Sequence, residues 1–228
     1  MKIAVCLSGH LRKFEETFPL LQKHLLNHYD CDIFLHTWDK MGYVSRYKGD
    51  ARSDETLKYI EAVQALYKPK KIVVESSSFV EELKRQGDEY APHLRNEPKH
   101  VGHMASMFYK IYAANELRKF HERETNTQYE WVVRCRPDLL FHGDTWVPSD
   151  KTPGRVYIPK HQSGQGWLSD QFAIALPDDM DLYCSFFFNL AEYFGARNEF
   201  YPEKFMAWNF TKNNLTPIMW DCHFNILR

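Results

Sequence analysis

Three things are missing from this sequence: a surplus of charge, a cysteine framework and the glycine-rich phosphate loops. Lys plus Arg number 29 against 30 for Asp plus Glu, a formal charge of -1. That balance removes the electrostatic argument for a nucleic-acid partner or an anionic membrane, and leaves room only for local basic patches that bind a phosphate or two. The five cysteines are odd in number, widely spaced and without a CxxC pair. Cys6 and Cys135 lie inside apolar runs, where a thiol behaves as a small buried hydrophobe. A disulfide framework or a zinc site is therefore not expected, and a reducing compartment is. The opening MKIAVCLSGH has a single Lys and an apolar run that stops at Ser8-Gly9, too short for a signal sequence or a membrane span. A cytoplasmic protein without a transmembrane segment is the expectation. No GxSxG, GxxxxGK[ST] or GxGxxG occurs, so hydrolase, P-loop and dinucleotide-dehydrogenase readings fall away. Internal repeats and low-complexity tracts are absent too.

What is present fits one globular unit. A chain of 228 residues with 44% hydrophobic and 26% charged residues has enough material for one large core and too little for two. A single domain over residues 1–228 follows. Aromatic residues make up 15%, with 13 Tyr, 16 Phe and 6 Trp. They fill a core of large rings, and they also supply flat faces on which sugars and bases stack; composition does not separate the two uses.

Short apolar runs alternate with helical patterns. Strands are expected at Lys2 to Leu7, Asp32 to Trp38, Lys70 to Glu75, Glu130 to Cys135, Val156 to Pro159, Gln171 to Leu176 and Ile218 to Ile226. Phe14, Phe18, Leu21 and Leu25 step by helical spacing, with Pro19 expected near a helix start or at a kink. Further helices are expected over 54–67 (capped by Ser53), 79–85, 178–194 and 203–213. The strongest stripe, Met104, Met107, Phe108, Ile111, Ala114, Leu117 and Phe120, predicts a helix over 103–124. Residues 39–53 and 87–102 read as loops. The sum is an α/β domain, Rossmann-like, with a mostly parallel central sheet and helices on both faces.

Ligands of such sheets bind beyond the carboxyl ends of the strands. The polar residues there are Ser8-Gly9-His10-Leu11-Arg12, Asp39, Arg136-Pro137-Asp138 and, after its own loop, Asp170. Pro137 fixes its own φ and extends Arg136, so Asp138 is aimed. A carboxylate there can hold Mg²⁺ or Mn²⁺ across two phosphates; equally, it can pair with Arg134 or Arg136 and terminate the strand. Free amides and a guanidinium at Ser8 to Arg12 can receive a pyrophosphate, or the segment is a plain tight turn. Asp170 follows Gly164, Gly166 and Trp167, either a loop that closes on a donor or an ordinary surface loop. The pairs His100/His103 and His24/His28 lack further ligands.

Five stretches in order, IAVCLSGHLRKF, DIFLHTWD, MASMFYKIYAANEL, YEWVVRCRPDLLF and SDQFAIALPDDMDLY with a later YPEKF, resemble a family of GT-A-like glycosyltransferases. That family includes the amino-terminal glycosyltransferase domain of a multidomain chlorella-virus protein. The resemblance implies transfer of a hexosyl or deoxyhexosyl group from a nucleotide-sugar donor to a hydroxyl of a glycan or glycoconjugate acceptor. It implies that Ser8, Gly9 and Arg12 line the nucleotide site, and that Asp138 ends a DxD-like motif and meets Mn²⁺ or Mg²⁺ and the diphosphate. It places Asp170 beside the transferred sugar or acceptor, as base if configuration inverts, and His223 as a further metal ligand. Arg136 stands where a full DxD has its first Asp, and can itself offset diphosphate charge. Rival readings are a non-catalytic nucleotide- or glycan-binding module, a nucleotidyltransferase, and a structural protein with no ligand site. As a strand-end carboxylate, Asp138 is expected to carry little packing, so that Asp138→Ala abolishes transfer and leaves the fold intact.

Overall fold

The computed structural model describes residues 1–40, 56–92, 101–196 and 201–227. The expected loop beyond residue 40, the Ser53 cap and His100 lie outside them. Seven strands form the main sheet: β1 Lys2–Ser8, β2 Asp30–Trp38, β3 Lys71–Glu75, β4 Trp131–Cys135, β6 Arg155–Pro159, β7 Phe172–Ala175 and β8 Thr216–Trp220. Their order is β3-β2-β1-β4-β7-β6-β8. β7 alone runs antiparallel to its neighbours, β4 and β6; every other pairing is parallel. This is the Rossmann-like, largely parallel arrangement found in GT-A domains.

Period-two alternation sorts the strand side chains into two apolar layers. Ala4, Cys6, Phe34, Val132 and Ala173 pack beneath α3 Ser78–Tyr90, α4 Val101–Thr125, α5 Pro177–Cys184, α6 Leu190–Gly195 and α7 Pro202–Lys212. Ile3, Val5, Leu7, Leu35, Val133 and Ile174 pack beneath α1 Phe14–His24 and α2 Ile60–Tyr67. Helices thus cover both faces.

Pro19 sits inside α1, five residues past its start, and is exposed. Glu15, whose carbonyl loses its helical donor, is also exposed, so water can serve it. α3 is longer than its pattern implied, because Gly87 lets the α3 backbone approach α4. A Cβ there would lie 3.1 Å from Val101 Cγ1. The expected helix over 178–194 is broken by a 3₁₀ turn, Ser185–Asn189, where the Ser185 hydroxyl donates to the Leu182 carbonyl at 2.7 Å. Phe120, expected on the buried stripe, is 46% exposed, with Lys71 Nζ 4.6 Å above its ring.

The single closing strand expected over 218–226 is two. β8 extends the main sheet, then Cys222 is buried and the chain turns into β9 Phe224–Ile226. β9 pairs antiparallel with β5 Leu139–Phe141 in a separate two-stranded ribbon. A three-residue strand carries too little periodicity to be read from sequence, and its partner lies more than eighty residues away.

Candidate active site

The carboxyl ends of β1 and β4 are neighbours, since Leu7 pairs with Cys135 in their parallel register. Beyond β1 the chain turns at Gly9, whose φ of 121° is left-handed territory open to glycine. Gly9 N–H donates to the His36 carbonyl of β2 at 3.3 Å. Leu11 is fully buried and anchors the turn, and α1 begins after Lys13 at a φ of 50°. The Ser8 hydroxyl is buried without a hydrogen-bond partner among the described residues. Register carries Ser8 to the position beside Arg136, on the same sheet face as Cys6 and Arg134. His10 Nδ1 lies 2.9 Å from the Lys40 carbonyl. Burial, with the Arg12 guanidinium next, pushes the His10 pKa down to about 4.

Arg136 and Asp138, either side of Pro137, form a bidentate pair: Nε donates to Oδ1 at 2.8 Å and Nη2 to Oδ2 at 2.7 Å. Arg12 Nη1 is 3.8 Å from the same Oδ2. Burial lowers the proton affinity of Arg136, but the Asp138 hydrogen bonds and the charges of Asp138 and Asp170 outweigh it, and its pKa is raised. The segment is pinned at both carbonyls: Thr17 Oγ1 donates to Pro137 O at 2.6 Å, and Leu227 N–H to Asp138 O at 2.9 Å. Asp138 is 1% exposed, so the expectation of a carboxylate with little packing is corrected. The short Arg-Pro-Asp span folds it back onto its own arginine.

Asp170 reaches the same edge from the other direction, because β7 runs antiparallel and Phe172 faces Cys135. Its carbonyl accepts a hydrogen bond from the buried Arg134 guanidinium. The preceding loop is a built turn: Gly164 and Trp167 exchange backbone hydrogen bonds of 2.8 and 3.1 Å, and Ser169 N–H donates to Ser163 Oγ at 3.1 Å. Trp167 packs edge-on against Tyr201 with centroids 5.1 Å apart. Ser8, Gly9, Arg12, Arg136, Asp138 and Asp170 therefore share one edge.

His223 does not join them. It is exposed, 3.4 Å from Asp221, and its carbonyl accepts from His142 N–H. The β5–β9 register puts it at the opposite end of that ribbon from Asp138, four residues or about 13 Å along the strand. Asp39 is structural: its carboxylate accepts from Ser77 N–H at 2.8 Å at the start of α3. His24 and His28 both face Asp144, at 2.9 and 3.4 Å.

A cluster that sequence reading missed flanks the edge. Lys110 of α4 is buried and donates to Glu75 at 2.7 Å and to the Thr37 carbonyl at 3.0 Å, with His36 Nδ1 also at 3.0 Å. Its Nζ stands 3.4 Å from the Trp38 ring centroid. Burial brings the Lys110 pKa down to about 8 against the pull of Glu75, and burial with Lys110 brings His36 down to about 3. The available signal was a lysine on the core-facing side of an apolar stripe. A broad open recess at the opposite edge is lined by Lys119, Glu122, Arg123, Tyr129 and Asp181, of which Glu122 and Asp181 pair with Arg118, and Lys119 with Asp181.

The Mn²⁺ or Mg²⁺ implied for this family needs free oxygen ligands. Both Asp138 oxygens are held by Arg136, and Arg12 stands beside them. Among the described residues no group of three or more His, Cys, Asp or Glu is placed to hold a metal ion. The donor set around Asp138 does not suit a divalent cation.

Residues 1–179 match a family described as a domain of unknown function, DUF7796. The chain belongs to the DUF7796 family. All the edge residues fall within the span that matches DUF7796, and His223 falls outside it. No curated protein matches the chain. Among solved structures, the DUF7796 chain is similar to mouse xyloside xylosyltransferase 1 in its apo form, at 9% identity and a TM-score of 0.44, over 96% of this chain and 84% of that one. A likeness of that degree fixes neither substrate nor chemistry.

Proposed function

We propose that this protein is a glycosyltransferase that moves a hexosyl or deoxyhexosyl group from a nucleotide-sugar donor to a hydroxyl of a glycan or glycoconjugate acceptor. The ordered motifs that resemble GT-A-like glycosyltransferases support this reading. The observation that carries it is the convergence of Arg12, Arg136, Asp138 and Asp170 beside the Gly9 turn at one edge of the sheet. In this reading the donor diphosphate lies along Ser8, Gly9, Arg12 and Arg136, with the sugar toward Asp170.

The reaction then balances as follows. The acceptor oxygen bonds to the anomeric carbon, and the bond from that carbon to the phosphate oxygen breaks. Its electron pair leaves with the nucleoside diphosphate. If configuration inverts, the hydroxyl proton passes to the Asp170 carboxylate; if it is retained, Asp170 binds the sugar and the proton passes to the departing phosphate oxygen. Guanidinium groups fixed near the leaving oxygens stabilise charge that grows in the transition state, which is the condition for acceleration. Five cysteines without a disulfide support work in a reducing compartment. Among the described residues no helix is long and apolar enough to cross a membrane.

The test is product analysis with uridine, guanosine and thymidine diphosphate sugars. Release of nucleoside diphosphate, by transfer or by hydrolysis, supports the reading. Release of pyrophosphate from a sugar phosphate and a nucleoside triphosphate would instead identify a nucleotidyltransferase. Tight binding without turnover would identify a non-catalytic module.

A further inference from the structure

We propose that Arg12 and Arg136 meet the donor diphosphate in place of a divalent ion, with Asp138 as the positioning residue that aims Arg136. The inference rests on the glycosyltransferase reading and specifies how that site takes its ligand. It departs from the metal that the DxD-like resemblance implies.

Three observations carry it. Asp138 grips Arg136 through Nε and Nη2, so the guanidinium is fixed along one edge, and among the described residues no hydrogen bond engages Nη1. A planar fork locked in this way keeps donors for a phosphate oxygen without losing side-chain freedom on binding. The Ser8 hydroxyl, 2% exposed, has no hydrogen-bond partner among the described residues, and register sets it beside Arg136. Two unmet donors at adjacent strand ends are an acceptor's site, since a buried donor left unpaired is costly.

Charge agrees. Among the described residues Arg12, Arg134 and Arg136 meet Asp138 and Asp170 at this edge, three guanidinium groups and two carboxylates. Arg134 is buried, and among the described residues its guanidinium donates to the Asp170 carbonyl. An excess positive charge repels a metal ion and attracts a diphosphate. The Gly9 backbone adds room for close approach, since a Cβ there would meet only Pro137 Cδ, at 4.0 Å.

The experiment is calorimetric titration of uridine, guanosine, thymidine and adenosine diphosphates into the wild-type protein, in EDTA and in excess Mn²⁺. At least one diphosphate is expected to bind with the same affinity in both. Arg136→Gln should weaken that binding about tenfold or more, and Arg12→Gln by a similar factor. Because Arg136→Gln strands a buried carboxylate, the double variant Arg136→Gln/Asp138→Asn, which keeps a neutral hydrogen-bonding pair, controls for folding and should bind as weakly. Binding that appears only with Mn²⁺ overturns this inference and leaves the glycosyltransferase reading standing, as does undiminished binding by a folded double variant. No binding of any diphosphate under either condition overturns both.

Discussion

The hydroxyl of Thr17, on the first helix, donates to the carbonyl of Pro137, 2.6 Å away and out of reach of solvent. One bond thus ties the segment that follows β1 to the segment that follows β4, the two that bracket the candidate site. Replacing Thr17 with Val keeps the shape and orphans the Pro137 carbonyl. The expected loss is about 1–3 kcal/mol of stability, read as a lower urea midpoint at unchanged slope. Thr17→Ser, which retains the donor, should recover most of it.

Asp138→Ala should destabilise the fold as well as release Arg136. It leaves the Arg136 guanidinium without its bidentate partner in a largely buried place, a change of about 3 kcal/mol. Asp138→Ala should therefore melt lower than wild type, and Arg136→Gln/Asp138→Asn should melt above it. Equal melting temperatures for Asp138→Ala and wild type would show that the pair is not formed in solution.

Acid should destabilise the fold well before the carboxylates titrate. His10 and His36 are neutral in the folded state, with pKa values pushed down to about 4 and about 3. Unfolded histidine titrates near about 6.5. Between these values the unfolded chain binds more protons, so stability is full above about pH 7 and is lost as pH falls toward 4. The scale is about 3 kcal/mol for His10 and about 5 kcal/mol for His36. Lys110, lowered to about 8, acts in a separate window: stability rises from about pH 8 to the unfolded lysine pKa. Urea titrations across this range would measure the slope. His36→Asn, which keeps an acceptor for Lys110 but does not titrate, should flatten the acid limb.

Asp170→Asn separates chemistry from folding. The bond from Arg134 goes to the Asp170 carbonyl, not its carboxylate, so the variant should keep wild-type stability. If Asp170 is the base, transfer falls about a hundredfold or more and the acid limb of the rate profile disappears. A variant with a normal rate would remove Asp170 from proton transfer.

Much of this protein was legible before any coordinates. Strands β1 to β4, β6 and β7 fall within two residues of their expected bounds, because a short apolar run bounded by polar and turn residues marks a strand whatever its direction. The edge residues were legible for the same reason: a polar group directly after such a run must stand at the sheet's rim. Where runs are short or interrupted, the reading failed. The β5–β9 ribbon went unseen, α3 continued past its pattern to meet α4, and a 3₁₀ turn with Phe186 buried interrupts the helix expected over 178–194. His223 is assigned to the site only through the resemblance, and the ribbon's register sets it at the far end from Asp138.

The sequence alone therefore determined which segments are strands, which helix faces are apolar and which polar groups sit at strand ends. Each is set by residues within a turn or two of one another. Only the tertiary structure decided which partners those groups take. Arg136 holds Asp138 through the turn that Thr17 pins, and Lys110 meets Glu75 across thirty-five residues. Pairing of this kind depends on distances between remote segments, which the packing of the core fixes and local periodicity does not encode.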